Sequence, residues 1–185
     1  MFDDGAVDYD ALNNLIDFHI DAGTSSIVSV GTTGESATVG VKEHLKIINH
    51  TIQYAARRIP IIAGTGANST SEAIELTQET KNLGADACLL VTPYYNKPTQ
   101  EGLFQHFKLI AESVDIDQIL YNVPGRTAVD MSVETTTRLS EFSNIIGIKE
   151  ANGEREVSKK LVQNCQEDYL VRTGDDDTAE HCFPV

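Results

Sequence analysis

Short aliphatic segments alternate with longer amphipathic segments along the whole chain, and this alternation limits the possible folds more than any other feature. Successive aliphatic segments begin about 25 to 33 residues apart, which is the length of one strand and crossover helix. The predicted strands are 26–30, 59–63, 87–91, 118–121, 145–149 and 169–172. The predicted helices are 8–22, 41–57, 71–83, 100–113, 132–141 and 155–165. The pattern predicts an α/β protein whose parallel sheet is covered by helices.

Residues that favour helix ends agree with these boundaries. Asp8 is suited to cap the first helix, and Ser69 begins a Ser-Thr-Ser-Glu capping-box pattern that ends at Glu72. Gly23 and Gly84 follow predicted helices, where a left-handed residue is expected. No linker, low-complexity segment or run of like-charged residues divides the chain, so residues 1–185 are predicted to form one domain.

The positions of the unusual residues distinguish between the two common parallel folds, an open doubly wound sheet and a (β/α)₈ barrel. The chain has neither of the two glycine-rich phosphate-binding patterns that open sheets often carry. Polar and glycine residues instead follow the predicted strands, at 31–33, 64–66, 92–95, 121–122, 149–150 and 174–176. In a TIM barrel these positions share the end where catalytic groups collect. We therefore predict an incomplete TIM (β/α)₈ barrel with about six of its eight strands.

The charge and composition exclude several classes of partner. Fourteen basic against 28 acidic residues leave a net charge of −14, which repels nucleic acid and anionic membranes. No apolar stretch approaches the roughly 20 residues of a membrane-spanning helix, and the N-terminus lacks a signal-peptide pattern. Cys88, Cys165 and Cys182 are far apart in sequence and show neither a disulfide nor a zinc pattern. These features predict a cytoplasmic protein without a metal, in which Cys88 is a buried apolar residue.

Lys149 is the first candidate for chemistry, because it ends an otherwise apolar strand. Strict alternation predicts that Lys149 faces the barrel interior together with Gly147 and Ile145. The residues predicted to face the helices are Ile146, Ile148 and Glu150. An ammonium that loses hydration is more readily deprotonated to an amine, which can attack a carbonyl and form a Schiff base. The alternative is a lysine that extends to solvent or pairs with a carboxylate.

Three tyrosines near the predicted strand ends are candidates for proton transfer. Tyr121 ends the strand before that of Lys149 and is predicted to face inward with Ile119. A phenol beside a reacting amine can donate and accept a proton, although core packing is the alternative function of this ring. The side chains of Tyr94 and Tyr95 are predicted to point to opposite faces, so that one serves the site and the other a helix layer or an interface.

Two polar segments at the same predicted end are suited to bind a carboxylate. Thr32 and Thr33 lie between glycines, so their hydroxyl and backbone N–H groups are accessible to a ligand. Arg126 is predicted to lie in a loop after Tyr121 and can bind a carboxylate through two hydrogen bonds. An incidental glycine turn and an ordinary surface arginine are the alternatives.

Four motifs taken together resemble the 4-hydroxy-tetrahydrodipicolinate synthase (dihydrodipicolinate synthase) family, within the N-acetylneuraminate lyase and class I aldolase superfamily. They are Gly31-Thr32-Thr33-Gly34-Glu35, Tyr94-Tyr95-Asn96, Tyr121-Asn122-Val123-Pro124 with Arg126-Thr127, and Gly147-Ile148-Lys149-Glu150. The resemblance extends over nearly the whole chain. It implies a lyase of the class I aldolase type in lysine biosynthesis through diaminopimelate, with no metal or organic cofactor.

The resemblance also implies a role for each site residue. Lys149 forms a Schiff base with pyruvate, whose enamine adds to L-aspartate 4-semialdehyde. Tyr121 is the central proton donor and acceptor, and Thr32 and Tyr95 complete a proton relay. The residues implied to bind substrate are Thr33 at the pyruvate carboxylate, Arg126 at the semialdehyde carboxylate, and Gly174.

Assembly and regulation are implied in the same way. The family's counterpart of Tyr95 comes from the neighbouring subunit, which implies a homo-oligomer, a dimer of dimers when full length. A feedback site for L-lysine is implied at that interface, formed by Ser36, Ala37, His44, Asn68, Glu72 and Tyr94.

The resemblance further implies that this chain is a fragment. The family's first strand precedes Met1, and its last strands and C-terminal helical region follow Asp176, whereas the last five residues, 181–185, do not resemble the family. We therefore expect the 185-residue chain alone to have little or no activity. Two alternatives remain at this point. One is a related aldolase such as N-acetylneuraminate lyase or a 2-keto-3-deoxy-sugar-acid aldolase, and the other is an inactive or lysine-binding regulatory module.

Overall fold

A computed structural model describes residues 1–174, so Asp175, Asp176 and Cys182 lie outside the described residues. The described chain forms one parallel sheet of six strands in sequential order. The strands are β1 (Ile27–Ser29), β2 (Ile61–Gly64), β3 (Ala87–Val91), β4 (Asp117–Asn122), β5 (Ile145–Glu150) and β6 (Leu170–Thr173). Consecutive parallel strands with a crossover between each pair correspond to six strands of a TIM barrel, which confirms the predicted fold class.

Helices connect the strands and cover one face of the sheet. They are α1 (Tyr9–Asp21), α2 (Val41–Ala55), α3 (Thr70–Leu83), α4 (Gln100–Ser113), α5 (Pro124–Thr127), α6 (Val133–Leu139) and α7 (Arg155–Asn164). A 3₁₀ turn, Ser36–Thr38, lies between β1 and α2. The side chains of Asp8, Ser69, Thr99 and Ser132 each accept a hydrogen bond from the first turn of the following helix. The caps predicted at Asp8 and Ser69 are thus confirmed, and Gly84 ends α3 at a φ of +92°.

The two faces of the sheet carry separate apolar clusters. The larger cluster lies between the sheet and the helices and includes Leu90, Phe107 and Ile148, which are fully buried. The opposite, inner face carries Leu89, Tyr121 and Val123. Cys88 is also fully buried on the helix side, and its burial raises the pKa of the thiol to about 11. Cys88 is therefore a small core residue, as predicted.

A bulge in β5 changes the predicted direction of one side chain. Gln118 pairs with Ile145 and Ile119 pairs with Gly147, so Ile146 is an extra residue in β5. The extra residue turns Ile145 away from the inner face, and Ile145 packs in the large cluster between sheet and helices. The prediction that Ile145 shares the inner face with Lys149 was therefore wrong, because strict alternation fails at a bulge.

Strand β1 ends one residue earlier than predicted because the backbone turns sharply at Val30. Val30 has a φ of +52°, which is a left-handed conformation that β-branched residues seldom adopt. A Cβ at Gly64 would lie 2.3 Å from the Val30 carbonyl oxygen, so only glycine permits this close approach. The turn carries the chain into the Gly31–Gly34 segment at the carboxyl end of the sheet.

Both lateral edges of the described sheet expose apolar side chains. Within residues 1–174, β1 pairs only with β2 and β6 pairs only with β5. Val28 is 41% exposed on β1, and Leu170 is 39% exposed on β6. Apolar side chains at an unpaired edge favour association with further strands or other chains. No helix in residues 1–174 combines the length and the apolar character that crossing a membrane requires.

His106 makes the stability of the fold sensitive to acid. It is 6% exposed, its Nδ1 lies 2.9 Å from the Thr70 hydroxyl, and its buried Nε2 has no hydrogen-bond partner. Burial lowers the pKa of His106 from 6.5 to about 4, so the unfolded chain binds the proton more tightly. The contribution of neutral His106 to the free energy of unfolding is fully present above pH 6.5. It is lost as the pH falls toward 4, and the loss is about 3 kcal/mol at most.

We expect His106→Gln to remove this part of the pH dependence. The measurement is the free energy of unfolding in urea between pH 7 and pH 4, for the parent and the variant. His19→Gln, at a partly exposed histidine, is the control and should follow the parent. An equal loss of stability in the parent and His106→Gln would contradict the prediction.

Candidate active site

A cavity of about 510 Å³ opens at the carboxyl ends of the strands, on the inner face of the sheet. Six residues predicted for the site contribute to its wall: Thr32, Thr33, Tyr121, Arg126, Lys149 and Gly174. Apolar residues Val28, Leu89, Val123 and Ala151 form much of the remainder. The tertiary structure thus brings together residues from four separate strand ends.

Lys149 and Tyr121 are direct neighbours across the β4–β5 ladder. The two residues are paired in register, and the Lys149 Nζ lies 4.7 Å from the centroid of the Tyr121 ring. Both side chains point to the inner face, as the alternation near the strand ends predicted. Tyr121 is 6% exposed and packs in the inner apolar cluster with Leu89 and Val123. An amine beside a phenol at the mouth of a barrel is suited to form an imine with a carbonyl compound.

The absence of a side chain at Gly174 leaves room for Lys149. A Cβ at residue 174 would lie 3.0 Å from Lys149 Cε and 2.8 Å from Ala151 Cβ. The Gly174 N–H also donates a 2.7 Å hydrogen bond to the carbonyl of Glu150, which holds this segment against the end of β5. Gly174 therefore determines the path of the lysine side chain across the cavity.

Arg126 lies in a short helix, which corrects the prediction of a loop. Pro124 begins α5, and its fixed φ is compatible with the first turn of a helix. The Thr127 hydroxyl donates to the carbonyls of Val123 and Val129 and anchors the turn. Four residues are too few for a periodic pattern, so the sequence carried little signal for this helix. The turn leaves Arg126 exposed at the cavity wall.

Neither Tyr94 nor Tyr95 is among the residues that line this cavity of their own chain. Both follow the end of β3, and Tyr95 has a φ of +73°, so the pleat of a strand does not extend to them. Tyr94 is 42% exposed and Tyr95 is 90% exposed. Tyr95 therefore projects from the surface of the described chain.

The residues suggested for lysine binding form two local groups. Ser36 and His44 line a small cavity of about 40 Å³ together with Thr32 and Tyr121. Burial lowers the pKa of His44, while its hydrogen bond to the Gly64 carbonyl and the charge of Glu72 oppose this effect. In the second group, the Asn68 amide donates a 3.3 Å hydrogen bond to the Tyr94 carbonyl. Ala37 lies in the same 3₁₀ turn as Ser36.

The strand-end pattern predicted no role for one buried pair of residues. Asn122 and Glu150 follow Tyr121 and Lys149 directly, are buried on the opposite face of the sheet, and are hydrogen-bonded to each other. Both were recognised as unusual residues at the strand ends, but neither received a role. The pairing of the two strand ends was the signal that could have connected them.

The charges around the cavity differ from those of the chain as a whole. Among residues 1–174, the cavity wall contains two cations, Lys149 and Arg126, and no carboxylate. The chain carries a net charge of −14. Hydroxyl groups of Thr32 and Thr33 and the Arg126 guanidinium are all hydrogen-bond donors, which suits a ligand with carboxylate groups. No three His, Cys, Asp or Glu side chains within residues 1–174 are grouped so that they could hold a metal ion.

The fold and the cavity define the class of protein. The described chain is part of a TIM-type barrel whose polar groups meet at the carboxyl ends of the strands, with a lysine beside a tyrosine. Comparison with known proteins then gives the family. The family model described as "Dihydrodipicolinate synthetase family" matches residues 1–185, and the chain belongs to this family.

Individual relatives agree with the family assignment. A curated relative from Ruthia magnifica, named 4-hydroxy-tetrahydrodipicolinate synthase, is 66% identical over 179 residues, which are 97% of this chain and 60% of the relative. The structure of the chloride-inhibited dihydrodipicolinate synthase from Acinetobacter baumannii, complexed with pyruvate, is 57% identical with a TM-score of 0.96. It is matched over 98% of this chain and 62% of that chain. A lysine-bound enzyme structure from Cyanidioschyzon merolae is 39% identical with a TM-score of 0.91, over 94% and 59% of the two chains.

The chain therefore spans about 60% of the length of the relatives that it matches.

Proposed function

We propose that this chain carries the pyruvate-binding site of a 4-hydroxy-tetrahydrodipicolinate synthase. The observation that carries the proposal is the pairing of Lys149 with Tyr121 in a cavity lined by cations and hydroxyl groups. The family assignment and the pyruvate complex of the Acinetobacter baumannii relative support it. The proposed reaction condenses pyruvate with L-aspartate 4-semialdehyde in lysine biosynthesis, and we propose a cytoplasmic location for it.

The first chemical step is imine formation on Lys149. The neutral Nζ attacks the keto carbon of pyruvate, and the carbonyl oxygen leaves as water after it has been protonated. Loss of a proton from the pyruvate methyl group converts the imine to an enamine, whose terminal carbon then adds to the aldehyde carbon of the semialdehyde. Amine and phenol groups supply all of this chemistry, so the proposal includes no metal or organic cofactor.

Tyr121 is the group that moves protons in these steps. Its ring lies beside the Lys149 Nζ, so its hydroxyl can donate to the departing oxygen and recover a proton later. Thr32, which lines the same small cavity as Tyr121, is proposed to pass protons to and from Tyr121, together with Tyr95. Thr33 binds the pyruvate carboxylate, Arg126 binds the carboxylate of the semialdehyde, and Gly174 contacts substrate beside Lys149.

An oligomer completes the proposed relay. Tyr95 is 90% exposed and does not line the cavity of its own chain, which suits a residue that enters the site of a neighbouring subunit. We propose a dimer on this basis, and a dimer of dimers for the complete protein. L-lysine is proposed as a feedback inhibitor that binds near Ser36, His44 and Tyr94, in line with the lysine-bound Cyanidioschyzon merolae relative.

Reductive trapping of the imine tests the proposal. The chain is joined to the segments by which the Ruthia magnifica relative extends beyond the matched residues, and this chimera is called the completed barrel. Pyruvate and borohydride should label Lys149 of the completed barrel irreversibly, as detected by peptide mass spectrometry. The 185-residue chain alone should be labelled far less, because β1 and β6 each lack a neighbour on one side in the described sheet.

Two outcomes would contradict these expectations separately. A folded completed barrel that gives no label on Lys149 would exclude the proposed function. Substantial labelling of the chain alone would show that six strands suffice for the first step. The same preparation also tests the related aldolase activities. For this test, N-acetylneuraminate or a 2-keto-3-deoxy-sugar acid replaces pyruvate and the semialdehyde as the substrate.

Substitution of Gly174 by alanine is expected to reduce imine formation about 10- to 100-fold, because the new methyl group displaces the lysine side chain. The measurement is the initial rate of reductive trapping in the completed barrel. Gly40→Ala is the control, since a Cβ at residue 40 has no atom within 4 Å. Equal trapping rates for Gly174→Ala and the parent would show that Lys149 does not need this space.

A further inference from the structure

A buried polar cluster lies directly behind the reacting pair, on the other face of the sheet. Tyr121 pairs with Lys149, and the next residues along the same strands, Asn122 and Glu150, also pair in register. Successive side chains of a strand point to opposite faces, so the Tyr121–Lys149 and Asn122–Glu150 pairs lie on opposite faces of the same two strand ends. We call Asn122, Glu150 and Asp130 the amide–carboxyl cluster.

Asn122 is the centre of the amide–carboxyl cluster. Its Nδ2 donates to Asp130 Oδ1 at 2.7 Å and to both carboxyl oxygens of Glu150 at 3.0 and 3.1 Å. Its Oδ1 accepts a 3.0 Å hydrogen bond from the Met131 N–H. Asn122 is fully buried, so all of its amide hydrogen-bonding groups depend on partners within the protein.

The cluster connects the segments that carry the proposed site. Glu150 Oε1 accepts a 3.0 Å hydrogen bond from the Asn152 N–H, after the end of β5. The Ala151 N–H donates to the Asn122 carbonyl at 2.8 Å, and the Gly174 N–H donates to the Glu150 carbonyl at 2.7 Å. The ends of β4 and β5, the Gly174 segment and the loop after α5 are therefore held together at this cluster.

Glu150 is a buried carboxyl group, and burial favours its neutral form. It is 4% exposed, and no lysine, arginine or histidine within residues 1–174 forms an ion pair with it. The titratable groups that face it are Asp130, on the loop after α5, and the Tyr169 phenol, on the segment before β6. The charge of Cys165, at the end of α7, contributes to raising the pKa of Tyr169. Lys149 lies on the other face of the sheet.

Burial raises the pKa of Glu150, hydrogen bonds from Asn122 and Asn152 oppose the rise, and the charge of Asp130 adds to it, so that the pKa is about 7. A pKa in this range would let the carboxyl directly behind the proposed nucleophile change its protonation state near neutral pH. Ionised Glu150 places two carboxylates on one amide group, without a cation to compensate them. Movement of the Glu150 side chain toward water would relieve this repulsion and would shift the end of β5.

We propose that Glu150 is a positioning residue: its neutral carboxyl, held by Asn122, keeps Lys149 beside Tyr121, and loss of its proton disturbs that arrangement. The proposal rests on the proposed function for its kinetic consequence, although the geometric part is independent of it. Glu150 itself contacts no substrate, because it lies behind the sheet. It acts through the strand ends that carry Lys149 and Tyr121.

The pH dependence of imine trapping tests the kinetic consequence. Glu150→Gln preserves the shape and neutrality of the side chain but cannot ionise, so its trapping rate should equal that of the parent near pH 6. At pH 8.5 the variant should be faster by up to about 30-fold, the ratio of ionised to neutral carboxyl for a pKa of about 7. Glu150→Asp withdraws the carboxyl from Asn122 and should be slower at every pH. Glu154→Gln, at an exposed glutamate four residues away, is the control and should follow the parent.

An NMR titration distinguishes failure of this proposal from failure of the proposed function. The completed barrel is labelled with ¹³C in the tyrosine rings, and the Tyr121 signal is assigned from Tyr121→Phe. The Tyr121 signal should shift with a midpoint near pH 7 in the parent and should not shift in Glu150→Gln. A shift without any trapping would retain the positioning role and exclude the proposed chemistry. Parallel trapping profiles, or a Tyr121 signal that is unchanged from pH 6 to 8.5, would overturn the positioning role.

Discussion

Substitution of Lys149 by arginine is expected to abolish the trapped imine, with a loss of more than about 1,000-fold in the rate of labelling by pyruvate and borohydride. Arginine preserves the positive charge at the cavity wall, but its guanidinium is always protonated and cannot attack a keto carbon. The loss therefore reports the nucleophile and not the charge. The measurement is the rate at which labelled peptide accumulates in the completed barrel.

A second lysine provides the matched control for this experiment. Lys159 lies on α7 and forms an exposed ion pair with Glu156 at 2.6 Å, outside the cavity. Lys159→Arg should be labelled at the parent rate, on Lys149 alone. Label that persists in Lys149→Arg would assign the imine to another amine and would exclude the site proposed for this chain.

Substitution of Tyr121 by phenylalanine is expected to slow imine formation about 100- to 1,000-fold. Phenylalanine retains the ring that packs against Leu89 and Val123 in the inner cluster, so the cavity should keep its shape. Only the hydroxyl is lost, and with it the group proposed to protonate the departing oxygen. The measurement is the single-turnover rate of imine formation at saturating pyruvate, with the thermal midpoint of unfolding recorded in parallel.

Tyr54→Phe is the control for the tyrosine experiment. The Tyr54 hydroxyl donates a 2.6 Å hydrogen bond to Asp17 between α1 and α2, on the outer side of the helix layer. Loss of that hydroxyl should leave the imine rate unchanged. If Tyr121→Phe lowered only the thermal midpoint and not the rate, the phenol would be a packing residue, which was the alternative interpretation of its position.

The completed barrel tests whether the site depends on the part of the relatives that this chain does not match. The described sheet exposes apolar side chains at both lateral edges, and the relatives that the chain matches are longer. Added strands that pair with β1 and β6 would cover Val28 and Leu170 and would narrow the cavity around Lys149. The difference in labelling between the chain and the completed barrel measures how much of the site depends on this closure.

Local patterns in the sequence were sufficient for the order and type of the main elements. Each strand is a short aliphatic segment, and α1, α3, α4 and α6 each follow a side chain that caps their first turn. Both signals act over a few neighbouring residues. The end of the barrel that holds the site could also be predicted, since residues after parallel strands share one edge. Lys149 and Tyr121 were found in this way, because alternation holds over the last residues of β4 and β5.

Contacts between distant segments decided the remaining features. The extra residue at Ile146 follows from how β5 fits β4, and no local pattern indicates that bulge. The direction of Tyr95 depends on a left-handed loop, and α5 is too short to show periodicity. The amide–carboxyl cluster requires the register of two strands and a loop that returns to them, so it appears only when the chain is folded. Sequence periodicity reports each element's own buried face, whereas register and charge burial are properties of pairs of elements, and those only the tertiary structure determines.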